Sequence, residues 1–368
     1  MRIVTPRVHL RSSRTTARFA LLMPAAGPRP GKPFADVLRR AREAGYKKAF
    51  VENVVLPEWW EHQIAANPAG REEGIGYLAL RLGLSPASLR EGERATHIPL
   101  GEAKYKTREG VTTSDLEPAK AVAAWALRLA CGAMPVPLHA VPDAPTLRAH
   151  LLSAGAPWVD FPRLLDACWA QGIPVLPIED PGGGKKMDGM AARFGGRFGV
   201  ALCGRYRSPS RQAFILAHEL GHVACGHLPA DGVLVVDEGI AERALGGADG
   251  NVRDEIEEPE ANGYARDLLM PEFTIYLHPG YSAHKLASWA KEKAPALHIA
   301  PGVMVNNYGH VHKKWGVAGA ALSDVEGGHN ALALMRQALE ERLDWDRLSD
   351  DEADYLRRLT GLEEPPVK

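Results

Sequence analysis

RQAFILAHELGHVACGH, residues 211–227, is the stretch from which the fold of this chain is read. It follows Ser208-Pro209-Ser210, which offers a helix cap and a first-turn proline. Phe214, Ala217, Leu220, Gly221 and Ala224 form an apolar face at helical spacing, so the segment is expected to be a buried helix. On such a helix, residues four apart stack, and His218 and His222 can present two imidazole nitrogens to one cation. Glu219 points beside that cation. There a carboxylate can take a proton from a zinc-bound water whose pKa the metal lowers toward ~7, while the metal polarises a carbonyl. With 14 histidines in the chain, composition alone yields H-E-x-x-H only on the order of a few per cent of the time.

A catalytic zinc commonly keeps three protein ligands and one open position, so a third ligand is needed. His227 lies five residues after His222, about 140° round a continuous helix, and is read as a helix-end residue. A second helix, expected over 257–272 with Pro259 in its first turn and Pro271 at its end, is the better source. In it Glu258 and Asn262 are four apart, so a carboxylate can reach the metal while the amide supports a ligand from behind. Glu257 and Glu260 are the alternatives, since acidic residues also gather at helix N-termini for the dipole alone. Glu258 is favoured, giving one Zn2+ held by His218, His222 and Glu258, with Glu219 as general base and Asn262 in support.

Outward from this centre, 161–172 is helix-like, 173–178 and 197–204 are strand-like, and PGGGKK at 181–186 is a turn without phosphate-loop spacing. The expected fold class is therefore α+β: a zincin-like metallopeptidase domain, a small sheet plus the H-E-x-x-H helix, preceded by a mainly α-helical domain. Residues 1–32 are read as a flexible arm, whose apolar part, Phe19 to Met23, is too short for a secretory signal. Residues 33–140 are read as a helical domain, 150–275 as the peptidase domain and 276–368 as a C-terminal region. Within the helical domain, residues 75–93 read either as a helix-turn-helix or as a plain helical hairpin: Gly83 makes the break, Ser85-Pro86 caps the second helix, and Arg90 and Arg94 are the candidate DNA contacts. Near the C-terminal region, His310 and His312 are expected on one side of a strand, as surface groups or as a source of an oxyanion donor.

Composition narrows the function. Of 368 residues, 44 are Lys or Arg and 45 Asp or Glu, so overall charge does not advertise nucleic acid or an anionic membrane. Four cysteines without a C-x-x-C pair suggest neither a disulfide framework nor a thiolate zinc knuckle, which fits a reducing cytoplasm. No segment approaches the ~18 apolar residues of a membrane span.

FILAHELGH and EPEANGYARDLLMP together resemble the paired motifs of the ImmA/IrrE family of metallo-endopeptidases, F-x-x-A-H-E-L-G-H and E-x-E-A-N-x-F-A-x-x-L-L-M-P, with Tyr264 in place of Phe. The resemblance runs from about Phe161 to Pro271. It implies zinc on His218, His222 and Glu258, water activation by Glu219, a cytoplasmic setting and a protein substrate of repressor type. Residues 75–93 would be the family's DNA-binding element, and 297–315 are similar to a segment of antitoxin-type regulators carrying the same domain. The alternative it leaves is a DNA-binding regulator or antitoxin that uses the zinc domain as a sensor without turnover.

Overall fold

A computed structural model describes residues 34–106, 112–178, 181–182, 186–238, 240, 254–271 and 279–363. The arm expected over 1–32, Gly183 and Gly184 of the triple glycine, and residues 241–253 of the acidic stretch lie outside them.

Five strands form one mixed sheet: β1 (Glu102–Lys106), β2 (Val175–Ile178), β3 (Gly189–Phe194), β4 (Arg197–Cys203) and β5 (Val233–Asp237), in the order β1-β5-β3-β4-β2. The hairpin β3–β4 is antiparallel and turns at Gly195-Gly196, both in the left-handed region that glycine adopts at no steric cost. Outside it, β5 adds antiparallel to β3, while β1 and β2 close the two edges in parallel. The sheet core β4–β3–β5 is nearly all buried, consistent with helices on both faces.

Those helices can be assigned from the pleat. Gly189 faces Glu219 of the motif helix, α7 (Pro209–Ala224), which follows α1 (Ala35–Glu43), α2 (Pro68–Leu82), α3 (Pro86–Glu91), α4 (Thr113–Ala133), α5 (Ala144–Ser153) and α6 (Phe161–Ala170), with shorter helical segments over Lys48–Phe50, Val51–Val55 and His62–Ala66. Gly199, paired with Ala192, faces the other way: a Cβ there would meet Cys131 Sγ at 3.0 Å, so α4 packs directly on that side. The sheet is thus sandwiched between α4 and α7. Chain from before residue 140 builds part of this unit, because β1 is an edge strand and α4 a covering helix.

After β5 come α8 (Asp254–Leu269), α9 (Ala283–Leu297), α10 (Pro301–His312), α11 (Trp315–Glu326), α12 (Ala331–Arg342) and α13 (Asp350–Thr360). The last helix returns to the first ones. Arg81 of α2 is buried between the rings of Tyr77 and Tyr355, 4.8 Å from each, and donates to Val55 O and Asp351 O at 2.6 and 2.8 Å. Arg358 donates to Asn53 O and Leu56 O, both at 2.9 Å. The C-terminal region is therefore tied to the helical region by buried guanidinium groups that donate to backbone oxygens across the contact.

Three sequence expectations change. His310 and His312 lie on a helix, not a strand: Pro301 opens α10 at its first turn and Val303, Met304, Val305 and Tyr308 bury at helical spacing. Pro259 sits inside α8, which begins earlier than 257. The helix pair at 68–91 has the expected Gly83 break, with φ 60°, and the expected Ser85 cap, but its second helix is six residues long. Arg90 there is engaged by Glu72, with Nε–Oε2 at 2.8 Å. Among the described residues no helix is long and apolar enough to cross a membrane.

Candidate metal centre

Ser208 caps α7 by accepting from Arg211 N, and Pro209 occupies the first turn, so the helix starts where the sequence expects. His218, Glu219 and His222 are all buried within it. Their imidazoles converge: His218 Nε2 and His222 Nε2 lie 3.1 Å apart.

The acid comes from α8, and two small residues bring it close. A Cβ on Gly221 would lie 2.8 Å from Ala261 Cα and 2.9 Å from Ala261 O, so only glycine opposite alanine permits this helix approach. Across that contact Glu258 Oε1 stands 3.4 Å from His222 Nε2, and Oε2 stands 3.8 Å from His218 Nε2. Asn262 Oδ1, one turn on, lies 3.1 Å from His218 Nδ1. The three acids that sequence left open are sorted by partner. Glu257 takes Lys104 Nζ at 2.6 Å, Glu260 takes His227 Nε2 at 2.9 Å, and Glu258 alone of these faces the histidine pair.

Glu219 is also buried, against the start of β3. A Cβ on Gly189 would collide with Glu219 Oε1 and approach its Cδ to 2.8 Å, so the absence of a side chain at 189 makes the room for this carboxylate.

Asp237 was not anticipated. It ends β5, is buried, and places Oδ2 3.7 Å from His218 Nε2 and 3.6 Å from His222 Nε2. Its position is fixed by the neighbouring Asp188, whose N–H donates to Asp237 O at 2.7 Å. The Asp188 carboxylate in turn accepts from Arg205, from Tyr206 OH at 2.9 Å and from Ile240 N at 3.1 Å. The signal available in sequence was V-L-V-V-D, a short apolar run closed by an acid, readable as a strand ending at a site.

His227 is a neighbour of the centre and not part of its donor set. Its Nδ1 lies 2.8 Å from His222 Nδ1, and its Nε2 reaches Glu260. Burial holds His222 below the ordinary histidine range, which favours the neutral ring that a metal requires. If Nε2 serves a metal, Nδ1 carries the proton and donates to His227 Nδ1, leaving His227 Nε2–H to donate to Glu260.

His218, His222, Asp237 and Glu258 thus offer four donor atoms within 4.8 Å of one another. Residues 171–292, which include all of these, match the family described as the IrrE N-terminal-like domain. The chain carries an ImmA/IrrE-type metallopeptidase domain. No curated protein and no solved structure matches it. A peptidase domain of this type implies a metal, and the residues fit one. Tetrahedral bonds of about 2.0–2.1 Å require donors about 3.3 Å apart; the two histidine Nε2 atoms stand 3.1 Å from each other and 3.4 to 3.8 Å from the carboxylate oxygens.

A pocket lies further along α7 and α8, and no residue of the donor cluster lines it. Phe214 is one turn before His218, and Arg266 and Met270 are one and two turns beyond Asn262. These residues, with Val303, His310 and Trp315, line an apolar pocket. His310 therefore lines this pocket and is absent from the donor cluster, and His312 stacks on Tyr308 with centroids 4.6 Å apart.

Proposed function

We propose that this domain is a zinc-dependent endopeptidase that cuts a repressor-like regulatory protein, with Glu219 as the general base. The observation that supports this reading is that the buried Glu219 carboxylate, next in sequence to His218, lies against Gly189 and is not one of the cluster donors His218, His222, Asp237 and Glu258. Zinc held there would polarise a peptide carbonyl and acidify water. The chain's own contribution is positional. His218 and His222 hold the ion through Nε2, Asn262 and His227 fix their ring orientations, and Glu258 completes the cradle from the second helix. Glu219, held in the space at Gly189, accepts the proton of the attacking water and can return it to the leaving amine. That the substrate is a repressor-like protein rests on the family resemblance.

The test is Glu219→Gln. Purified protein is expected to carry about one zinc per chain, and the substitution to keep that zinc while slowing cleavage about 10²- to 10⁴-fold. Retained cleavage in the variant, or in chelated protein, would overturn the reading. The inactive variant also serves as a trap for the protein substrate.

A second reading, a DNA-binding regulator or antitoxin, draws on the capped helix pair at 68–91. It expects salt-dependent DNA binding that Glu219→Gln leaves unchanged.

A further inference from the structure

An open catalytic metal needs one position that no protein donor fills. In this chain the side chain of Asp237 is a fourth donor in the cluster. Its Oδ2 lies 3.7 and 3.6 Å from the two histidine Nε2 atoms, the same range as the Glu258 oxygens at 3.8 and 3.4 Å. Tetrahedral edges for zinc are about 3.3 Å, so Asp237 is as well placed to be a ligand as the glutamate on the second helix. Its backbone is also more firmly held. It belongs to β5, an inner strand paired on both sides, with Lys106 across one ladder and Gly189 across the other.

We propose that Asp237 is a fourth metal ligand that closes the resting site, and that it must swing off the ion before a substrate carbonyl or small ligand can take its place. This rests on the metal reading above. Asp237 is the last residue of its strand, so rotation of its side chain leaves the β5 ladder intact. His218, His222 and Glu258 then remain as the three ligands that an open site keeps.

The full-length protein is loaded with Co2+, whose visible absorption reports coordination number, and titrated with acetohydroxamate as a metal-directed probe. Wild type is expected to show the intense absorption of a four-coordinate ion and little response to the probe. Asp237→Ala should still bind Co2+, with a shifted visible spectrum as water replaces the carboxylate, and with at least a tenfold tighter grip on acetohydroxamate. Asp237→Asn, which keeps the side-chain volume, should fall between them. A purely structural Asp237 would lower thermal stability without altering the spectrum of the bound ion.

Tight probe binding by wild type overturns the proposal even if neither variant folds, as does an identical spectrum and probe affinity in wild type and Asp237→Ala. Both results leave the metal reading standing. Failure of wild type to bind Co2+ or Zn2+ at all removes the metal reading and this proposal with it.

Discussion

Removing the His227 ring is the sharpest test of how the centre is supported, because it removes no donor and is read without a substrate. His222 Nδ1 and His227 Nδ1 are 2.8 Å apart, and both rings are almost wholly buried. In His227→Ala the Nδ1–H of a metal-bound His222 faces a void, at a cost of about 1–3 kcal/mol for an unsatisfied buried donor. Loss of an outer partner of a metal-bound histidine typically lowers metal affinity by about 10- to 100-fold, or about 1.4–2.7 kcal/mol, which is the same range reached independently. His227→Gln should recover part of this, since its amide oxygen can accept from His222 and its amide nitrogen can donate to Glu260. Glu260→Gln should cost under about 1 kcal/mol, because the Glu260 side chain is half exposed. Asn262→Ala removes the partner of His218, whose bond is longer at 3.1 Å, and is expected at the lower end of the range. The assay is competition for Zn2+ against a chromogenic chelator, using metal-free protein whose fold is checked by circular dichroism. Zinc affinity of His227→Ala within twofold of wild type, or His227→Gln no better than His227→Ala, would refute the proton chain from His222 through His227 to Glu260.

Three further outcomes are expected. Gly189→Ala should displace Glu219 and slow cleavage about 10²-fold or more while zinc binding stays near wild type; combined with Glu219→Gln it should add little, since both act on one group. Gly221→Ala should force α7 and α8 apart at Ala261, costing about 1–3 kcal/mol of stability by thermal melt and weakening zinc binding as Glu258 recedes. Native iodoacetamide labelling, counted by intact mass, should modify Cys225 alone, because Cys131, Cys168 and Cys203 are buried and burial pushes the Cys131 thiol up to about 12. Burial raises the Cys225 thiol too, and the thiolate is the reactive form, so its labelling rate should keep climbing as pH rises past the ordinary thiol range.

The helix carrying His218, Glu219 and His222 was legible because its cap, its apolar face and its ligand spacing all lie within one continuous segment. Glu258 and Asn262 were legible for the same reason on α8: four-residue spacing, together with the paired motif, singles out the residues that share a face. The strands β2 and β4 could be read as runs of apolar residues, but β3, beginning at Gly189 with Met190, Ala191 and Ala192, has no β-branched residue to mark it. Its burial is decided by α4 and α7 on either side, which local sequence does not encode. Asp237 and His227 were missed as neighbours of the centre because tertiary pairing puts them there. One arrives at the end of a strand held between β1 and β3. The other arrives where the chain leaves α7 through Gly226, in the left-handed conformation with φ 78°, and folds back against His222.

The two glycines facing the centre explain why its geometry is so closely specified. Gly221 sets the distance between α7 and α8, and with it how near Glu258 comes to the histidines. Gly189 sets the space beside β3, and with it where Glu219 rests. Each is a position where any side chain would strike a catalytic group or the backbone of the opposing helix. Close approach of packed elements transmits strain instead of absorbing it, so a change of one methyl group at either glycine is felt at the site. Asp237 is held by the same device on its third side, through the ladder to Gly189 and the bond from Asp188. Base, second-helix ligand and proposed fourth ligand are therefore referenced to one strand and one helix contact. That shared reference predicts that substitutions at Gly189 and Asp237 will couple, whereas Gly189, which faces Glu219, and His227, which faces His222 and Glu260, will act additively.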